Sequence, residues 1–263
     1  MAVVPPRGLW GLSLSGAGHL LTYHLGVCRV MIESDRNEGI QCLVGSSGGA
    51  IAAAVVGMMP DRLEEYASAF VQRRGGGLDL LQHMLLEEDE AMKQPSREIQ
   101  VCATKCLDGS AHLFRFPANQ ETNRERLVRC VRASCSIPLS FHPWDILSSS
   151  SPVTYPESEG LEIDGDFFVD GGIAAPAPPT PAELQRLVVS PISGGSKGER
   201  ISPDDDTLGG PFDLPCRGGF SVRPSLQNAR ALQIAMGGAT SAHLQKWYDL
   251  GQKDAERYLL QKP

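Results

Sequence analysis

The sequence predicts an α/β fold, a mostly parallel sheet core with helices on both faces. Three observations carry that expectation. The first sixty residues alternate strand, turn, helix, strand, turn, helix. Both turns are rich in glycine and lie between a short apolar strand and a helix. The chain has 263 residues, 41% hydrophobic and 21% charged, enough for one domain with a well-buried core.

Residues 9–14 (Leu-Trp-Gly-Leu-Ser-Leu) read as a strand, and Ser15-Gly16-Ala17-Gly18 as a tight turn. Residues 20–32 then place Leu21, Leu25, Cys28 and Ile32 at helical spacing. A second strand, 40–44, runs into Gly45-Ser46-Ser47-Gly48-Gly49 and an apolar helix that ends near Pro60. Residues 61–74 form an amphipathic helix, stopped by Gly75-Gly76-Gly77, and residues 78–92 a further one. Strands are expected at 99–104, 161–169 and 187–190, and helices at 122–132 and 225–261. The stretch 194–223 is rich in Gly, Pro, Ser and Asp and reads as a flexible insert within a single domain spanning 1–263. No internal repeat is found.

Composition excludes several function classes. A formal net charge of -7 disfavours nucleic acid as a partner. Arg124, Arg126, Arg129 and Arg132 spread over more than one helix face and read as solvated charge. The seven cysteines are odd in number and irregular in spacing, which fits free thiols rather than a disulfide framework or a metal site. No basic leader with a long apolar run opens the chain, and no stretch approaches the roughly 18 apolar residues of a membrane span. An intracellular, cytoplasmic protein, peripheral at most on lipid, is expected.

Gly45-x-Ser47-x-Gly49 between strand and helix has the pattern of a nucleophile elbow. The turn is so sharp that side chains at the flanking positions would collide with neighbouring backbone. The helix that follows aims its N-terminal N–H groups at developing negative charge. Gly16-Ala17-Gly18 is the natural partner, because in a parallel sheet both turns lie at one carboxyl edge. Its N–H groups form a candidate oxyanion hole. A nucleotide-binding loop is disfavoured, since Leu21 stands where the last glycine of G-x-G-x-x-G belongs. No cofactor is expected.

Ser47 needs a base. None of the six histidines takes a compelling position: His19 and His24 lie in the first turn and helix, His142 in a Pro-rich stretch, His243 inside a helical pattern. Asp170, followed by Gly171 and Gly172, ends the strand 161–169. A carboxylate is a weak base, with a pKa of about 3.9, unless desolvation and close placement raise its basicity. Two arrangements therefore stay open: Asp170 acting directly, or a triad that includes His243.

Four segments together resemble a patatin-like phospholipase domain, in the adiponutrin and adipose-triglyceride-lipase branch. They are Leu12-Ser13-Leu14-Ser15-Gly16-Ala17-Gly18-His19-Leu20, Val44-Gly45-Ser46-Ser47-Gly48-Gly49-Ala50, Ala133-Ser134-Cys135-Ser136-Ile137-Pro138, and Val169-Asp170-Gly171-Gly172. Trp247-Tyr248-Asp249-Leu250-Gly251 resembles the end of that branch's domain. Leu21 and His19 depart from the family's usual glycine and basic residue. The resemblance implies a three-layer sandwich and a Ser–Asp dyad of Ser47 and Asp170. It further implies an oxyanion hole from Gly16, Ala17, Gly18 and Gly48, with Ser136-Ile137-Pro138 supporting the site. The implied activity is hydrolysis of lipid carboxyl esters, triacylglycerol or phospholipid, at a membrane or lipid-droplet surface and without a metal. A lipid-binding, regulatory protein that kept the motifs but not turnover is the rival. For lipid contact the sequence offers Leu78, Leu80, Leu81, Met84, Leu85 and Leu86, against the plainer expectation of a core-facing helix.

Overall fold

The computed structural model describes residues 8–87, 94–146, 152–195, 199–203 and 213–261. Its strands are β1 (Trp10–Leu14), β2 (Ile40–Ser46), β3 (Glu98–Lys105), β4 (Ala111–Phe116), β5 (Leu161–Ile163), β6 (Asp166–Val169), β7 (Gln185–Val189), β8 (Glu199–Ile201), β9 (Leu214–Cys216) and β10 (Phe220–Val222). Its helices are α1 (Leu21–Glu33), α2 (Gly48–Met58), α3 (Leu63–Arg73), α4 (Gly77–Leu86), α5 (Arg124–Ser134), α6 (Gly171–Ala174), α7 (Leu226–Ala235) and α8 (Ser241–Gln261).

The expected α/β architecture is present. β3, β2, β1, β7 and β8 lie side by side, all parallel. Such strands are buried on both faces, so they read as continuous apolar runs. Leu12, Leu14, Leu43, Val44, Val101, Leu187 and Val189 are all buried. β4 and β6 flank β3 antiparallel, and β5 pairs with β6. Helices pack around this sheet, and α2 is buried along its whole length.

The ladders on β3 decide where the site falls. β4 occupies one edge of β3 from Ile99 to Thr104. The other edge is shared: β2 pairs up to Ser46 opposite Cys102, and β6 pairs Phe168 with Lys105 and Val169 with Thr104. β2 runs parallel to β3 and β6 runs against it, so the two approach nose to nose. Each chain must leave the sheet beside Ala103. The residues at the two departures are Ser47 and Asp170.

Several expected elements differ. Residues 161–169 are a hairpin, not one strand, and its Asp164-Gly165 turn has φ of 53° and 87°. That is the type I′ signature of an Asp-Gly turn between strands. β4 was not expected. The stretch read as an insert supplies β8, which adds to the main sheet, and the hairpin β9–β10. The final helix divides at Gly237, where φ is 116°. The Arg124–Arg132 run is tethered rather than merely solvated: Arg126 pairs with Asp164, and Arg124, Arg129 and Arg132 donate to Leu85 O, Glu162 O and Gln82 Oε1. Leu80, Leu81, Met84 and Leu85 are buried in the main core, so α4 is the core-facing helix and not a lipid surface. The end of the helix expected over 78–92 lies outside the described residues from 88 onward.

Helix α8 packs against α1 at backbone contact. A Cβ on Gly26 would stand 2.1 Å from Tyr248 O, and one on Gly251 would stand 2.3 Å from Tyr23 O. The pair is further tied by Tyr23 Oη donating to the buried Asp254 carboxylate at 2.8 Å. Gly251→Ala is expected to destabilise the fold by about 3 kcal/mol, through the separation of two helices that the extra methyl forces. A fall in Tm of about 6–12 °C by calorimetry would show it.

Candidate active site

The Ser47 turn is strained. Its φ of 51° and ψ of -127° place a non-glycine residue in left-handed space. The neighbouring glycines make the turn sterically feasible. A Cβ on Gly45 would fall 2.2 Å from Gly49 O, and one on Gly49 would fall 2.2 Å from Leu14 O. Ser47 is partly exposed and sits at the N-terminus of the eleven-residue α2. The helix dipole there favours negative charge at the serine oxygen and beside it.

The turn is pinned from below. Ser134, fully buried at the end of α5, accepts from Ser47 N at 2.8 Å and donates to Cys102 O at 2.6 Å. The acid is pinned as firmly. Asp170 N donates to Ser136 O at 2.8 Å, and Thr104 Oγ1 donates to Asp170 O at 2.7 Å. Asp170 caps α6, its Oδ1 accepting from Gly172 N at 2.8 Å. A Cβ on Gly171 would lie 2.0 Å from Cys102 O, so the chain leaves β6 flush against β3.

Asp170 is only 6% exposed, and its Oδ2 is buried without a hydrogen-bond partner among the described residues. The Ser47 hydroxyl stands close enough to favour the charged form without closing a full hydrogen bond to that oxygen. Burial dominates, and the carboxyl pKa rises from 3.8 to about 6, partly opposed by Ser47 and the Gly172 N–H. A buried carboxylate that titrates near neutrality is a much better base than a solvated one.

The first turn lies against the second. A Cβ on Gly48 would be 2.7 Å from Gly18 O and 2.9 Å from Gly18 N. A Cβ on Gly16 would be 3.8 Å from Ser47 Cβ and from Gly172 Cα, so its absence keeps open the space between nucleophile and acid. Gly16 N donates to Pro176 O at 2.8 Å, and Ser46 Oγ donates to the same carbonyl at 3.1 Å. Among the described residues, the N–H groups of Ala17, Gly18 and Gly48 have no backbone acceptor.

His243 is exposed in the first turn of α8. His24 is fully buried, holds Ser15 O at 2.8 Å, and burial lowers its pKa to about 4. His19 Nδ1 is 3.1 Å from Ala235 O on α7. Leu21 is buried at the start of α1, so the residue that replaces the motif glycine serves the core. Among the described residues no cluster of His, Cys, Asp or Glu is arranged to hold a metal. None of their helices is long and apolar enough to cross a membrane.

Residues 12–183 match the model of the family described as patatin-like phospholipase. The chain belongs to that family. The matched stretch includes both glycine turns, Ser134 and Asp170. Among solved structures, the patatin-like chain is similar to VipD from Legionella pneumophila, with 11% identity and a TM-score of 0.41 over 96% of this chain and 68% of that one. It is also similar to ExoU in the heterodimeric ExoU–SpcU complex of the Pseudomonas aeruginosa type III secretion system. There the identity is 16% and the TM-score 0.42, over 98% of this chain and 52% of that one. The chain thus spans about half the length of ExoU. A search of curated proteins gave no match.

Ser134, Thr104 and Pro176 were not singled out from the sequence as site residues. Only the first lay in a motif, and there the emphasis fell on Ser136-Ile137-Pro138.

Strain and charge burial give two stability expectations. Ser47→Gly relieves the left-handed backbone and should raise stability by about 1 kcal/mol, read as a higher Tm. The folded Asp170 carboxyl holds its proton more tightly than the unfolded one, so its contribution to stability falls as pH rises from about 4 to about 6. The raised pKa corresponds to about 3 kcal/mol against the charged form. Asp170→Asn should therefore be more stable than wild type above pH 6, by up to that amount. Denaturant titrations at pH 4 and pH 8 should show the gain only at the higher pH.

Proposed function

We propose that this patatin-like protein is a serine hydrolase of lipid carboxyl esters that uses Ser47 and Asp170 as a dyad. The observation that carries the reading is the Ser47 hydroxyl, held in a strained turn at a helix N-terminus, beside a buried carboxylate with a pKa near 6. Ser47 Oγ attacks the ester carbonyl as its proton passes to Asp170. The carbonyl oxygen becomes an oxyanion facing the free N–H groups of Ala17, Gly18 and Gly48 at the positive end of α2. Gly16 acts through the space it leaves, because its own N–H is engaged by Pro176 O. Collapse of the intermediate breaks the ester C–O bond, and Asp170 returns the proton to the leaving alcohol. Asp170 then takes a proton from water, whose oxygen attacks the acyl-serine; the bond from the acyl carbon to Ser47 Oγ breaks, the fatty acid leaves, and Asp170 returns the proton to Ser47 Oγ. No metal or cofactor takes part in this sequence.

The lipid class we propose is triacylglycerol or phospholipid, in line with the motifs shared with the adiponutrin and adipose-triglyceride-lipase branch. The place is the surface of a membrane or lipid droplet. Exposed apolar side chains beside the acid support this. Ile137 and Leu139 are 51% and 97% exposed, and they follow directly on Ser136, whose carbonyl holds Asp170 N.

Ser47→Ala and Asp170→Asn should each abolish hydrolysis of a short-chain nitrophenyl ester while remaining folded by circular dichroism. Labelling by a fluorophosphonate probe should be lost in Ser47→Ala. Full turnover in either variant refutes the dyad. For the wild type, log kcat/KM should rise with unit slope below pH 6 and level off above it, as Asp170 loses its proton. The paired change Ile137→Ser and Leu139→Ser should lower hydrolysis of vesicle lipid at least about tenfold and leave the soluble ester untouched, since each exposed apolar side chain contributes about 1.5–3 kcal/mol when buried.

A further inference from the structure

We propose that Ser134 is a positioning residue for the hydrolysis, its hydroxyl fixing the backbone of the nucleophile turn relative to the strand from which the acid departs. The inference rests on the dyad reading of Ser47 and Asp170. It follows from two hydrogen bonds of one buried atom and its place beside Gly171. Ser134 Oγ accepts from Ser47 N at 2.8 Å, donates to Cys102 O at 2.6 Å, and would lie 3.2 Å from a Cβ on Gly171. It thereby binds the nucleophile's own peptide and the central position of β3, and it borders the space that a side chain on Gly171, the residue after Asp170, would fill. No other side chain among the described residues is recorded on Ser47 N.

The need for such an anchor follows from the strain. A serine at φ 51° is held away from its preferred backbone region, and something must hold it there. The peptide N–H of Ser47 points into the protein, away from water, and Ser134 Oγ satisfies it. Remove that acceptor and two buried backbone groups, Ser47 N–H and Cys102 C=O, lose their partner together. The turn then relaxes toward allowed space, and the Ser47 hydroxyl moves off the Asp170 carboxylate. A displacement of about 1 Å at a reacting atom is enough to reduce turnover about 10²-fold.

The Ser47 hydroxyl also holds down the pKa of Asp170, so its departure should leave the carboxyl more basic. Among the described residues, the titratable groups that interact with Asp170 are the Cys102 thiol on β3 and the Cys135 thiol after α5. Burial raises both thiols well above their ordinary range, so neither changes charge near neutrality.

The test compares Ser134→Ala with Ser190→Ala on a short-chain nitrophenyl ester. Ser190 is an equally buried serine whose Oγ also donates once, to Ile192 O, and accepts once, from Ile192 N, but it serves the turn after β7. Ser134→Ala should lose about 10²-fold in kcat with KM unchanged. Its kcat/KM limb should move to higher pH, and fluorophosphonate labelling of Ser47 should slow in proportion. Ser190→Ala should keep the wild-type kcat and limb. Equal effects in the two variants, or an unmoved limb in Ser134→Ala, would reduce Ser134 to a structural residue and overturn the proposal. If Ser134→Ala does not fold, Ser134→Cys is read instead: a partial loss of kcat with a shifted limb supports the inference, and wild-type kinetics overturn it. Retained turnover in Asp170→Asn alongside a slow Ser134→Ala would refute the dyad and not the anchor.

Discussion

The arrangement on which the site depends is a single strand edge shared end to end. β2 climbs one edge of β3 and stops opposite Cys102, while β6 descends the same edge and stops opposite Thr104. Backbone hydrogen bonding thus sets the separation of Ser47 and Asp170, with only Ala103 between the two pairings. Neither strand can continue, since each would run into the other. The sharp turn at Ser47 and the capped start of α6 at Asp170 are two ways of leaving the same collision. Strain at the serine is then a result of topology, and the glycines at 45, 49 and 171 mark where backbone presses against backbone around the site.

In the proposed dyad, the same geometry lets a carboxylate stand where an imidazole is the commoner base of a serine hydrolase. Asp170 emerges into the protein rather than into solvent, and among the described residues burial is the dominant influence that raises its basicity. The end of α2 supplies a compensating positive field on the other side of Ser47. In that proposal the acid and the oxyanion donors come to Ser47 from different elements, β6 and the two glycine turns. Their relative placement is enforced by the sheet and not by a mobile loop.

Much of this was legible in the sequence, and the remainder was not for identifiable reasons. The strand–turn–helix repeats of the first sixty residues announce a parallel sheet, because buried strands read as short apolar runs between glycine turns. Ser47, Asp170 and the turn at 16–18 follow from that pattern and their motifs. β8, β9 and β10 have three residues each, too few to show a period, and lie in a stretch whose Gly, Pro and Ser content suggests a loop. The 161–169 hairpin did leave a signal, the Asp164-Gly165 pair, which was masked by apolar alternation running through both strands. Thr104 carries no signal, and Ser134 none beyond its place in the third motif, because a buried hydroxyl that bridges backbone groups looks like any other Ser or Thr in a helix or strand. Pro176 is similar: its carbonyl ties Gly16 to Ser46, and nothing in Ala175-Pro176-Ala177-Pro178 foretells that role.

The backbone contact between α1 and α8 bears on how far a self-sufficient unit extends. The family match covers residues 12–183 and so stops short of β7. A piece ending there would turn β1 into a raw sheet edge, with unpaired N–H and C=O groups open to intermolecular pairing. It would also uncover the flank of α1 around Gly26, where α8 replaces solvent with its own backbone. The portable module, the shortest length of chain that could be grafted into another protein with its sheet closed and its first helix covered, therefore runs past the match and includes α8.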